Sequence, residues 1–269
     1  MPDQSSLTES VDALQQQIAT NASRFTHVAT VDHSRLAGEA GVEMPPCVVT
    51  IFSDPETNAP LIQANPMVGL DLPHRVLAYA EPGADEASIA FGDAEYLKRR
   101  HDVADIGLLD RYGSVLDEAL AGTPIEIRRP VVTDELEAGF GIHELVSDFS
   151  FGETIEQLRK VVSSQGDTVW FGEVDFQAEA ATQDIDVAGA TMLLFGAPAP
   201  GGMCMAEFPR LGLDAFCQKL LVFEDDDETV RVAFNNIVAF AELHYGRSNG
   251  PQGVVDSRLA AAFGSATSR

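Results

Sequence analysis

Apolar residues recur at helical spacing near the start of the chain, at Val11, Leu14 and Ile18, and again at Ile155, Leu158 and Val162. Each set predicts an amphipathic helix with one buried stripe. Each follows a Ser-x-x-Glu run, Ser6 to Glu9 and Ser150 to Glu153, whose hydroxyl and carboxylate suit the free N–H groups of a helix start. The period then shortens. HVATVD at 27–32 and VWFGEVD at 169–175 read as strands, with a short helix or turn expected over 35–40 and 178–183. The apolar, partly β-branched runs 47–52 and 191–195 read as strands buried on at least one face. Strand-like pairs 75–80 with 87–91, and 219–223 with 229–234, flank the polar connections EPGADE and EDDDE, which predicts two hairpins. Asp93 and Asn236 are suited to N-cap the next helices, on which Leu97 and His101, or Phe240 and His244, share a face. A final helix in each half carries Val115, Leu116 and Leu120, or Leu259, Ala262 and Phe263.

The two series are one unit written twice. Phe52 and Phe195, Pro55 and Pro198, Pro66 and Pro209, Asp71 and Asp214, Phe91 and Phe234, and His101 and His244 each stand 143 positions apart. Unlike residue types keeping one register argue for internal duplication. A helix, a set of mainly antiparallel strands and further helix make an α+β unit rather than an alternating βαβ one. The expected organisation is a first repeat domain over 1–122, a linker over 123–140 and a second repeat domain over 141–269. GIHELVSDF at 141–149 opens the second copy as a strand, and the first copy lacks its counterpart. The strand-like PIEIRRPVV at 124–132 is expected to cover the edge this leaves open.

Composition narrows the function. The chain has 269 residues and a formal charge of -25, from 42 acidic against 17 basic residues. Such a balance repels phosphate backbones and anionic membrane surfaces, so nucleic acid is not an expected partner. An apolar content of 45% is too high for a disordered chain. Carboxylate excess with three lysines, Lys98, Lys160 and Lys219, suits a halophilic protein in a cytoplasm of molar salt, where self-repulsion is screened within about 3 Å. No apolar run reaches membrane-span length, and no secretory signal is visible at MPDQSSLTES. Cys47, Cys204 and Cys217 are widely spaced among apolar residues, which predicts reduced, buried thiols.

Asn65-Pro66 predicts a short helical turn, with Asn65 as N-cap and Pro66 at the first position. Asp71 and Asp214 then act either as turn residues that cap backbone N–H groups or as carboxylates at the mouth of a pocket. His101 and His244 sit at helix C-termini, where a ring N–H can bind free carbonyls or serve a ligand. His33 and His74 have no histidine counterpart, their approximate partners being Phe176 and Cys217. A metal site would require His33, Asp71, His74 and His101 to converge, and no short ligand motif asks for it. No cofactor or metal is expected. Nucleophile-elbow, phosphate-loop and zinc-helix motifs are missing from the sequence. The acidic tip Glu224 to Glu228 lacks calcium-loop spacing and reads as a solvated hairpin end.

The segments VDHSRLAGEAG, VVTIFSDPETNAPLIQANPMVGLDLPHRVLAY and LKRRH resemble the family catalogued as domain of unknown function 302. The resemblance is close from about Val31 to His101 and looser from about Val174 to His244. The family's Phe-Gly-Asn-Pro turn appears as Phe52-Ser53-Asp54-Pro55 and Phe195-Gly196-Ala197-Pro198. Its Leu-Asp-Leu-Pro segment is intact at Leu70 to Pro73 and altered at Leu213 to Phe216. The resemblance implies a curved, mainly antiparallel sheet with helices on one face, of the TATA-box-binding-protein class, and no established reaction. Fold likeness to a DNA binder does not carry DNA binding with it. The expectation is a tandem binding module for a small ligand, with Asn65, Asp71, His74, His101, Asp214 and His244 as candidate ligand-binding residues. The alternatives are an enzyme using Asp and His as acid and base, and a structural or oligomerising module in which duplication fused an ancestral dimer.

Overall fold

The structure is a computed structural model that describes residues 4–134, 136–225 and 227–269. The first half runs α1 (Gln4–Thr20), β1 (Thr26–Asp32), α2 (His33–Glu39), β2 (Cys47–Ser53), α3 (Pro55–Ala64), a 3-10 helix (Pro66–Asp71), β3 (His74–Ala80), β4 (Ala87–Phe91), α4 (Ala94–His101), α5 (Ile106–Leu120) and β5 (Arg128–Pro130). The second runs β6 (Ile142–Val146), α6 (Phe151–Ser164), β7 (Val169–Asp175), α7 (Phe176–Ala181), β8 (Ala190–Gly196), α8 (Pro198–Met205), α9 (Leu211–Asp214), β9 (Gln218–Glu224), β10 (Val230–Asn235), α10 (Ile237–Tyr245) and α11 (Gly250–Thr267). The result is α+β, with two five-stranded sheets ordered β1-β2-β3-β4-β5 and β6-β10-β9-β8-β7.

Local chemistry accounts for most element starts. Ser150 and Glu153 form the capping box of α6. Asp93 accepts from Tyr96 N, and Asn236 from Ala239 N. The Ser6 box does not form at a helix start. α1 already includes Gln4, and its buried stripe of Leu7, Ser10, Leu14 and Ile18 extends one turn further toward the N-terminus; residues 1–3 lie outside the described residues. The acidic tip at 224–228 includes Asp226, which also lies outside them. α3 and α8 are not foreshadowed by the hydrophobic pattern, since Pro60 stands inside one and Pro200-Gly201-Gly202 inside the other. Such residues are poor helix formers, and packing across the halves supports them instead.

The sheets carry the signature of a duplicated chain. A β-bulge falls between His27 and Ala29 in β1 and between Trp170 and Gly172 in β7, at equivalent positions. Each sheet is otherwise antiparallel except for β5, a three-residue strand parallel to β4 along the edge that β6 occupies in the other half. The strand-like run 124–132 therefore contributes only Arg128–Pro130 as strand.

Helices α1 and α5, or α6 and α11, lie over one face of each sheet. The other face is covered by the opposite half. α2 packs on α8 and α3 on α7, while β1 meets β7. Because α2 corresponds to α7 and α3 to α8, each contact is the pseudo-twofold image of its partner, the pattern of an isologous dimer interface. All seven residues of β2, β3 and β8 are buried as a result.

Candidate functional site

The Pro-x-x-Gly-Leu-Asp segments meet the opposite sheets at this interface. A Cβ on Gly69 would stand 2.9 Å from Leu221 Cδ1, and one on Gly212 would stand 2.8 Å from Cys47 Sγ and 3.1 Å from Leu77 Cδ1. The strand registers make Leu77 and Leu221 equivalent, since Val49 pairs with Leu77 and Met192 with Leu221. Each motif glycine thus lets its turn rest on the same leucine of the other half. Neither glycine has positive φ, so the requirement is close approach rather than turn geometry.

The motif carboxylates point into the same seam. Asp71 Oδ2 accepts from His101 Nε2 at 2.6 Å and from Arg100 Nη1, and Asp71 Oδ1 accepts from Lys219 Nζ of the second half at 2.8 Å. Tyr96 Oη lies 3.4 Å from Oδ1. Burial alone would raise this carboxyl, but the Arg100 and Lys219 cations and the His101 hydrogen bond outweigh it and hold Asp71 well below the usual range. Burial pulls Lys219 down to about 8 against the attraction of Asp71, which leaves it protonated at neutral pH. Arg100 is fully enclosed and spans the seam, donating to Phe140 O, Tyr96 Oη and Asn235 Oδ1. Asn235 in turn donates to Asp214 O at 2.7 Å. In the second copy Asp214 Oδ2 pairs with His244 Nε2 at 2.8 Å.

The sequence-predicted residues therefore separate into three places. Asp71 with His101, and Asp214 with His244, form two equivalent buried pairs. Neither aspartate is a backbone cap, and neither histidine ring bonds the carbonyls of its helix end. Both side chains of each pair are nearly enclosed, so the carboxylates do not stand at a pocket mouth. Asn65 caps the 3-10 helix through Met67 N at 3.0 Å, and its amide donates to His101 O at 3.0 Å. It borders an open cleft.

His74 belongs elsewhere. It points to the helix side of β3, stacked between Phe52 and Tyr112, with Nε2 3.3 Å from Tyr112 O. Burial pulls it down to about 4, which makes it a neutral core residue. The expected meeting of His74 with Asp71 does not occur, because His74 faces the helix side of β3 whereas Asp71, at the end of the 3-10 helix, points into the seam with Lys219 and Arg100. Its counterpart is also corrected. Phe52 pairs with His74 and Phe195 with Gln218, so one extra residue precedes β9, and Gln218 rather than Cys217 matches His74. The same shift makes Arg75 and Lys219 equivalent, two buried cations that the constant spacing of 143 had concealed. A basic residue second in each strand, in HRVLAYA and QKLLVFE, was the available signal.

The cleft measures about 590 Å³ and is lined by both halves, with Asn65, Pro66 and Met67 facing Glu144, Asp186 and Arg231. A smaller recess of about 260 Å³ continues it past Arg100, His101 and Gly139. Arg231 pairs with Glu144 at 2.6 Å and with Asp225. Among the described residues no group of three or more His, Cys, Asp or Glu side chains is arranged to hold a metal, and no helix is long and apolar enough to cross a membrane. Cys47, Cys204 and Cys217 are free and buried.

Comparison with known proteins completes the picture. The proteins named "Fluoride-specific ion channel FluC 1" from Brucella suis biovar 1 (strain 1330) and from Brucella abortus biovar 1 (strain 9-941) are each 38% identical to this chain over 73 residues, 27% of its length. The matched part is 28% and 27% of those proteins, so the chain spans little more than a quarter of these curated relatives. The crystal structure of an uncharacterized conserved protein DUF302 from Bacillus stearothermophilus aligns with 12% identity and a TM-score of 0.39, over 47% of this chain and 95% of that one. The family model described as "Domain of unknown function DUF302" matches residues 2–122 and 143–262. With the model matched once in each half, this protein belongs to the DUF302 family and carries the domain twice.

Proposed function

We propose that the chain is a tandem binding module whose ligand occupies the cleft between the 3-10 helix of the first half and the β6, β9 and β10 side of the second. The observation that carries this reading is the shared cleft of about 590 Å³, to which both copies contribute, within the size range of small-molecule sites. Its rim holds Glu144, Asp186, Glu224 and Asp225 against Arg231. That excess favours a small polar ligand bearing positive charge, with Ile62, Met67, Val187 and Phe223 supplying apolar contact. The buried Asp-His pairs support a different role, holding the rigid seam behind the cleft. A group acting as acid or base must come within about 3 Å of a substrate atom or its bridging water, and the His101 and Asp71 side chains are only 0% and 3% exposed.

Thermal-shift titration with small amines, amino sugars and polyols, at fixed ionic strength, tests the reading. A ligand of the cleft raises the unfolding temperature with concentration by mass action. Ala188→Trp fills the cleft from an exposed position and abolishes that rise, and Asp186→Asn weakens it for cationic compounds. A flat response to every compound, or an Ala188→Trp protein that responds as the wild type does, rejects the cleft as the site.

A further inference from the structure

The cleft is one part of a longer trough. Asn65, Met67 and Glu144 border both the cleft of about 590 Å³ and the recess of about 260 Å³, so the two are continuous and Met67 stands at their junction. Asp186, Glu224 and Asp225 line the cleft alone, Asp102 lines the recess alone, and Glu144 lines both. Glu144 and Asp225 are engaged by Arg231, whereas Asp186 and Asp102 are exposed carboxylates on either side of the junction. Acidic groups alone would attract any cation, but the recess adds a feature that selects one.

The polar groups left open in the recess are acceptors. Arg100 lines it, but all three of its guanidinium nitrogens already donate, to Asp71, Tyr96 Oη, Asn235 Oδ1 and Phe140 O, and its charge is met by the Asp71 carboxylate. Asn65 Nδ2 donates to His101 O, and Gly139 N to Arg100 O. His101 is 5% exposed and lines the same recess. Its Nε2 gives the ring's one proton to Asp71, and its Nδ1 has no partner. Burial pulls this imidazole down, so Nδ1 keeps its lone pair at neutral pH, and the hydrogen bond to a carboxylate strengthens the ring as an acceptor. A buried acceptor beside the Asp102 carboxylate calls for a compact cation rich in N–H. A primary ammonium, with three N–H groups on one atom, meets that demand. A second positive group suits Asp186 in the cleft, and methylenes between the two meet Met67, Ile62 and Val187. We propose that the trough binds a linear aliphatic polyamine, with one terminal ammonium at His101 Nδ1 and Asp102 in the recess and the other at Asp186 in the cleft. This rests on the reading of the cleft as a ligand site and names the class of its ligand.

The test is calorimetric titration of the full chain, at constant ionic strength, with butylamine and with a series of α,ω-diaminoalkanes of increasing length. All the diamines carry the same charge, so attraction to an acidic surface treats them alike, whereas a site with two fixed ends selects a length. One length is expected to bind at least about tenfold more tightly than butylamine, because its second ammonium then binds intramolecularly. Asp102→Asn brings that diamine down to the affinity of butylamine, and Ala188→Trp removes the binding of both. A crystal grown with the best diamine places one nitrogen within hydrogen-bond distance of His101 Nδ1, and that measurement requires no variant. Diamines that bind equally at every length or no better than butylamine, or a crystal with the ammonium away from His101, overturn the proposal; butylamine binding that Ala188→Trp still abolishes then keeps the cleft reading intact. Silence toward every amine overturns the proposal too, and polyol binding decides the cleft reading separately.

Discussion

Replacing Asp71 by Asn is the sharpest perturbation of the seam, because it keeps the shape of the side chain and removes its charge. Asp71 accepts from Arg100, His101 and Lys219, and the two cations are 0% and 1% exposed at their side chains. Loss of the carboxylate leaves both buried and uncompensated, and an amide N–H is brought against them. Breaking a buried pair by removing one partner costs about 3 to 5 kcal/mol. Lys219→Met tests the opposite member of the same pair. It removes a buried cation, fills its volume with an apolar chain, and leaves Asp71 paired with Arg100 and His101. The expected change is within about 1 kcal/mol of zero, since an apolar replacement of a buried ion is often neutral. Urea unfolding reads both, followed by circular dichroism for the whole chain and by fluorescence of Trp170, the single tryptophan, for the second half. Because the seam joins the halves, the two probes should coincide in the wild type and separate in Asp71→Asn. If Lys219→Met proves as costly as Asp71→Asn, or if Asp71→Asn costs less than about 1 kcal/mol, Asp71 is not the centre of the network.

Three further outcomes follow from the same contacts. His33 and His74 are each held near pH 4 by burial, against about 6.5 unfolded, so below pH 6.5 the unfolded chain binds protons that the folded chain refuses. Stability therefore falls as pH drops from about 6.5 to 4, by up to about 3 kcal/mol per histidine; urea midpoints at pH 7 and 4.5 measure this, and His74→Phe should remove part of the slope. The depressed Asp71 carboxyl adds a separate loss of stability only below about pH 4, as the pH falls toward its folded value. Gly212→Ala should cost about 1 to 3 kcal/mol in urea, and Gly69→Ala less, because the first Cβ meets Cys47, His33 and Leu77 whereas the second meets the ends of Leu221 and Ile62. Gly202→Ala places a Cβ 2.7 Å from that of Ala37 and should part α2 from α8, seen as a lower unfolding temperature of about 2 to 6 °C.

The strands and outer helices were legible in the chain because their periods of two and 3.6 are written in side chains that each sheet and its covering helices bury. α3 and α8 were not, since Pro60 and the Pro-Gly-Gly run oppose helix formation and only cross-half contacts reward it: Gly202, poor for a helix, is what allows α8 to lie against Ala37. The candidate site was half legible. The spacing of 143 singled out Asp71 with Asp214 and His101 with His244, and these do form equivalent pairs. Their roles were hidden, because a carboxylate that ends a turn looks like a local cap when its decisive partner, Lys219, lies 148 positions away. The one-residue shift before β9 also set Cys217 against His74 and masked the match of Arg75 with Lys219.

That match explains why the Pro-x-x-Gly-Leu-Asp motif recurs. In each half its glycine admits the leucine of the opposite third strand, and its aspartate descends beside the basic residue two positions earlier on that strand. A twofold pairing of identical chains would make the two crossings alike, with one basic residue for each carboxylate. Fusion into a single chain lifts that constraint. The first half can gain Arg100 where the second has Leu243, so Asp71 gathers two full cations while Asp214 pairs with His244. This asymmetry of the seam is thus one that a single chain with two unlike halves can hold and a twofold pairing of identical chains cannot.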